Sequence, residues 1–123
     1  MPPTRLVLFE EHGTVPLLHW LAGIPAEAQA KCRVRLGRLA ELGHELRRPE
    51  ADYLEGGLYE LRAKHQRVNY RMLYFFHGRG VAVVTHGFSK HEAAVPTREI
   101  QLGLAKKDIF ARRPEAHTYQ EEV

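Results

Sequence analysis

The chain has 123 residues, 44% of them hydrophobic, and one cysteine, which suits a single domain with its own core and excludes an internal disulfide or a cysteine-based zinc cluster. Its net charge is only +3, yet residues 47–113 carry 13 Lys or Arg against 7 Asp or Glu, an excess that fits a polyanion-binding surface, with a solvated mixed-charge surface as the competing reading. No apolar run is long enough to span a bilayer, and Met1-Pro2-Pro3-Thr4-Arg5 is not followed by a signal-like apolar core, so no membrane partner and a cytoplasmic location are expected.

In chain order, Arg5 to Glu10 reads as a short apolar strand that joins a sheet. Gly13-Thr14 and Pro16 mark a helix start with Thr14 as its cap, and Leu17, Leu18, Leu21 and Ile24 recur at helical spacing. Pro25 suits a second helix entrance. Ala28, Cys32, Leu36 and Leu39 then form an apolar stripe that ends at Leu42-Gly43, where glycine closes the helix. Lys31, Arg35, Arg38 and Glu41 occupy the opposite, solvent-facing side. Cys32 lies on the apolar stripe and reads as an inert packed thiol. Residues 45–57 read as a loop, because Arg48-Pro49 disfavours helix and Gly56-Gly57 permits a turn into the next strand.

The stretch Leu58 to Lys90 organises the chain as three consecutive antiparallel strands, expected at 58–64, 67–77 and 81–88. Tyr59, Leu61 and Ala63 alternate with Glu60, Arg62 and Lys64, and Val68, Tyr70, Met72, Tyr74 and Phe76 alternate with Arg67, Asn69 and Arg71, the period of half-buried β structure. A hairpin centred on His65-Gln66 sets Arg62 opposite Asn69 and Glu60 opposite Arg71. A two-residue Gly78-Arg79 loop pairs Arg71 with His86 and brings Lys90 to the same side, whereas a three-residue loop shifts the parity and sends Val83 and Thr85 to the other face. With the shorter loop, Glu60, Arg62, Lys64, Arg67, Asn69, Arg71, His86 and Lys90 line one exposed surface.

Pro96 fits the first position of a last helix, with Ile100, Leu104 and Phe110 as its apolar stripe and Arg112-Arg113-Pro114 as its end. Residues 1–113 are then one domain, and the tail 114–123 lacks core residues and is expected to be mobile or to order only against a partner. The order β-α-α-β-β-β-α gives an α+β fold, a small antiparallel sheet with helices on one face and the other face open to a ligand.

The segments Leu54 to Arg62, Tyr70 to Phe76, His86-Gly87-Phe88-Ser89-Lys90 and Pro96-Thr97-Arg98-Glu99-Ile100 together resemble the phage-derived, HigB-like branch of the RelE toxin superfamily. The resemblance is close over residues 54–105 and looser over the preceding helices. It implies the RelE-like fold, the toxin of a type II toxin–antitoxin system, an endoribonuclease that cuts mRNA on the ribosome, and a cognate antitoxin protein as partner. The family pattern has two lysines after the phenylalanine segment, whereas here Lys90 is followed by His91.

Metal-independent RNA cleavage by 2′-hydroxyl attack needs positive charge on the transition state and two groups that move protons. Arginine serves the first need, since its planar fork stays charged and matches phosphate oxygens, and Arg62 and Arg71 are the leading candidates. A cross-strand ion pair with Glu60 is the competing reading of Arg71. His86 is the candidate acid or base, with a structural histidine as its alternative, and Lys90 holds phosphate or donates a proton. Glu60 as a base is weakened by an arginine partner. Lys64, Arg67, Asn69, His91 and Arg98 complete the expected RNA contacts. Neither a cofactor nor a metal site is expected, since the eight histidines form no HExxH-like cluster. The runner-up function is a non-catalytic module of the same fold that binds RNA or protein.

Overall fold

The computed structural model describes residues 3–91 and 94–120. Strand β1 (Arg5–Phe9), helices α1 (Pro16–Ala22) and α2 (Ala26–Leu42), strands β2 (Ala51–Glu55), β3 (Leu58–His65), β4 (Val68–Phe76) and β5 (Val81–Lys90), helix α3 (Thr97–Arg112) and the short strand β6 (Thr118–Tyr119) follow one another. The strands form one sheet in the order β2-β3-β4-β5-β1-β6. It is antiparallel except where β1 runs parallel to β5. The α+β class stands, and no helix among the described residues is long and apolar enough to cross a membrane.

The helices do not share one face. Leu17 and Leu21 of α1 and Ala28, Cys32, Leu36 and Leu39 of α2 pack on Leu8, Leu61, Met72, Tyr74 and Val84. Helix α3 lies on the opposite face, with Phe110 against Val7, Phe75 and Val83, and Ile100 and Leu104 against Leu58, Leu73 and Phe88. The central strands announce this in their continuous apolar runs, Leu73 to Phe76 and Val81 to Val84, since a strand covered on both sides loses its alternation. The expectation of a wholly open second face is therefore wrong.

Register corrects both turns. The first hairpin turns at Gln66-Arg67, both at positive φ (48° and 69°), so Arg62 faces Arg71 and Lys64 faces Asn69. That is a two-residue slide from the expected pairing, which preserves the faces because side chains repeat every two residues. The second loop is the longer one, closed by the His77 N–H to the Val81 carbonyl at 3.0 Å. Val83 consequently faces α3. The register then shifts, with Tyr74 opposite Val84 but Leu73 opposite His86, so Thr85 is a bulge residue that returns His86, Phe88 and Lys90 to the arginine-bearing face.

Other departures have local causes. The loop expected at 45–57 contains β2, whose Asp52 and Tyr53 pair with Glu60 and Tyr59. Thr14 does not cap α1; Val15 holds that place and Thr14 bridges to Glu11. The tail is not loose through Tyr119, because the outer edge of β1 takes it up as β6, and the His117 ring stacks on Phe9 at 5.3 Å; residues 121–123 lie outside the described residues. Gly43 ends α2 as expected, at φ 52° with its N–H on the Leu39 carbonyl.

Two contacts set the position of the site. A side chain at Gly87 would occupy the space of the Trp20 ring, so glycine there lets α1 lie close on β5. Beyond Leu61, strand β3 has no β2 residue beside it. Its outward groups are taken by other elements instead: the Arg62 N–H by the Glu50 carbonyl at 2.8 Å, the Arg62 carbonyl by Arg35 Nε at 2.8 Å and the Lys64 carbonyl by Lys31 Nζ at 3.3 Å. The basic side of α2 thus reaches down to the sheet edge rather than only into water.

Candidate functional site

On the α3 face the strands lay their charged residues out in rows. Asp52, Glu60, Leu73 and His86 form one row, Arg62, Arg71 and Phe88 the next, and Lys64, Asn69 and Lys90 the row nearest the β3–β4 turn. A carboxylate row thus lies beside an arginine row and a lysine row. Helix α3 covers the end that carries Leu58, Leu73 and Phe75, leaving the cationic rows beyond its N-terminal turn.

The arginines differ in state. Arg71 is only 3% exposed, and its Nε lies 2.7 Å from Glu60 Oε1. The N–H does not point along that line, so the contact is an ion pair without a completed hydrogen bond. Burial draws the Arg71 guanidinium below its ordinary value, Glu60 opposes that, and the Arg62 charge adds to it. Arg62 is half-buried, and its guanidinium makes no hydrogen bond or ion pair among the described residues. It is the accessible cation of this row.

His86 is buried and held at both ring nitrogens. Nδ1 lies 2.9 Å from Thr85 Oγ1 and Nε2 lies 3.2 Å from Glu99 Oε1. Burial pushes the imidazole below its ordinary value of 6.5, Glu99 opposes and Lys106 assists. Because the Thr85 hydroxyl donates to the Leu73 carbonyl at 3.2 Å, its oxygen is left to accept from His86 Nδ1–H, while Nε2 faces the Glu99 carboxylate. His86 is therefore a pin between β5 and the first turn of α3, placed beneath that helix rather than at the surface.

The remaining expected residues divide. Lys90 is on the same face but only 5% exposed, so the surface expected to be exposed at Arg71, His86 and Lys90 is instead buried at all three. Lys64 is exposed and Asn69 half-exposed in the adjoining row. Arg67 sits in the turn at positive φ, exposed but off the strand face. His91 is exposed directly after Lys90, and Arg98 is exposed at the start of α3, 3.9 Å from Glu99.

Two acidic partners were missed from sequence. Asp52 is gripped by Arg48 at 2.7 Å and held below the usual carboxylate range by that hydrogen bond, with Arg62 contributing. Glu99, the partner of His86, lies 13 residues away. Only the strand identity of residues 51–55 would have exposed Asp52. Chemically, the arrangement offers one accessible arginine backed by a charge-compensated one, flanked by lysines: a seat for an anionic group.

Residues 19–108 match the family described as Phage derived protein Gp49-like (DUF891), and the chain belongs to that family. It is a phage-derived family of the RelE/HigB-like toxin–antitoxin type, which carries an antitoxin partner with it. No curated protein matches the chain.

Proposed function

We propose that this Gp49-like chain is the HigB-like toxin of a type II system, a metal-independent endoribonuclease that cleaves mRNA during translation and is silenced by its cognate antitoxin. The observation that carries the reading is the half-buried Arg62 guanidinium, which has no ion-pair partner among the described residues and stands in register with Arg71. A phosphate seated there meets Arg62 directly and gains the field of Arg71, whose charge Glu60 balances in the folded protein. Lys64 extends the positive charge along the RNA backbone, and His91 and Arg98 stand at the rim. An antitoxin would silence the site most simply by laying acidic groups over it.

Expression in cells with mapping of RNA 5′ ends tests this reading. New ends inside translated messages in wild type, absent in a folded Arg62→Ala variant, support it; identical ends in both would defeat it.

One observation favours the second reading, a non-catalytic RNA- or protein-binding module. His86 is buried and both its ring nitrogens are occupied, so the group best suited to proton transfer is not at the surface. The same experiment separates the two, since a module binds RNA without creating ends.

A further inference from the structure

On the other side of edge strand β2 lies a cleft of about 430 Å³ whose walls include His44, Arg47, Ala51, Tyr53 and Tyr59. Consecutive strand residues point to opposite faces, so Asp52 belongs to the carboxylate row while Tyr53 opens into this cleft. Tyr53 is 52% exposed. It is nonetheless fixed: its hydroxyl accepts the Gly57 N–H at 3.1 Å and its ring meets Tyr59 edge-on at 5.1 Å. Tyr59 stacks on Tyr74 at 5.3 Å, and the exposed His44 ring stacks on Phe76 at 3.6 Å. Ordered rings left at the surface cost little entropy to bind against, and every nucleobase has a face to lay on them.

The charges agree. Asp52 points to the carboxylate row yet also borders the cleft at the strand edge, and there it is neutralised by Arg48 at 2.7 Å. Arg47 donates to the His44 and Leu46 carbonyls and makes no ion pair among the described residues, which leaves the cleft cationic. Addition of a partner strand to the β2 edge is disfavoured: the Tyr53 N–H is already taken by Asp52 Oδ1 at 3.0 Å, and the pairing of β2 is irregular between Tyr53 and Glu55, both of which blunt an edge.

We infer that the Tyr53–Tyr59 cleft is a nucleobase-binding subsite that takes an unpaired base of single-stranded RNA, whose backbone passes round the β2 edge from the arginine row. This inference rests on the RNA reading of that row. The probe is a single-stranded oligoadenylate, compared with the same oligomer made abasic throughout, which keeps every phosphate and removes every base. For wild type, Tyr53→Phe, Tyr53→Leu, Tyr53→Ala and Arg62→Ala, affinity is measured across a salt series.

Tyr53→Ala and Tyr53→Leu should each weaken the intact oligomer roughly 5- to 150-fold, the range for losing one base–aromatic stack, with an unchanged salt slope and no effect on the abasic strand. Tyr53→Phe, which keeps the ring and its edge contact with Tyr59 and loses only the Gly57 hydrogen bond, should stay much closer to wild type than either. Arg62→Ala should instead reduce the slope by about 0.7 for a lost phosphate contact on both strands. Equal weakening of intact and abasic RNA by Tyr53→Ala would overturn the stacking assignment. Unchanged affinity in both Tyr53→Ala and Tyr53→Leu, with Arg62→Ala still impaired, would assign the cleft to another ligand such as a protein segment and leave the arginine row standing. Wild type that binds neither oligomer would overturn both.

Discussion

Arg62 stands directly across from Arg71 on the neighbouring strand, and the two like charges coexist because Glu60 lies 2.7 Å from the deeper one. The division of labour that follows is unequal. Arg62 is placed to meet a ligand, and Arg71 is placed to hold the floor beneath it. Replacing Arg62 by Ala should leave the fold intact and slow RNA cleavage about 10²- to 10³-fold, the loss expected for one well-placed donor to a developing charge. Primer-extension rates on a message undergoing translation in vitro, with circular dichroism as the folding control, check this; a parental rate in a folded variant would sink the site.

Arg71 should behave differently. Its removal strands the Glu60 carboxylate in a buried place, which for a broken buried pair costs about 3–5 kcal/mol. Arg71→Ala is therefore expected to lower the urea midpoint sharply or to fail to accumulate, whereas the double variant Glu60→Leu, Arg71→Met, which removes both charges, should recover most of the stability. Recovery by the double variant with RNA cleavage still impaired would locate the Arg71 contribution in the field it lends to Arg62.

The His86 pin gives a pH dependence with a defined sign. Its folded-state pKa lies below the ordinary 6.5 because burial outweighs the attraction of Glu99, so the unfolded chain takes up the proton first. The contribution is fully present above about pH 6.5 and is lost as pH falls from there through the folded-state value. Urea denaturation of wild type and His86→Gln across that window should show a steeper loss of stability on acidification in wild type, by up to one proton. Parallel curves would mean that His86 does not titrate differently on folding.

At Gly87, any side chain enters the Trp20 ring. Gly87→Ala should cost about 1–3 kcal/mol, the usual range for overpacking, and Trp20→Leu should restore part of it by clearing the space. An additive double variant would show that the two residues do not compete for that space.

What could be read from sequence was largely parity. Alternation in residues 58–76 placed Glu60, Arg62, Lys64, Asn69 and Arg71 on one face, and that held although the hairpin slid by two residues, because an even slide leaves faces unchanged. The placement of His86 and Lys90 came out correct for a different reason than expected: the loop is the longer one, and the bulge at Thr85 restores the face. Nothing in a single sequence marks a bulge of that kind. Exposure was harder still. Whether Arg71 and His86 meet solvent depends on where α3 docks, and that follows from apolar runs in β4 and β5 that periodicity alone assigns to no face. Asp52 and Tyr53 were hidden because residues 51–55 are too short, and too mixed in character, to outweigh the neighbouring Pro49 and Gly56-Gly57 as signs of a loop.

The cations of α2 that hold the Arg62 and Lys64 carbonyls also stand where a seventh strand would otherwise find its template. An uncovered stretch of β edge is an invitation to self-assembly, and here the cover consists of two side chains rather than a backbone. Replacing Lys31 and Arg35 together by Ala would uncover that stretch without touching the core, and light scattering at rising protein concentration should then report oligomers that the parent does not form. Resistance to edge-to-edge association would then be tied to the same contact that fixes the backbone of the accessible Arg62.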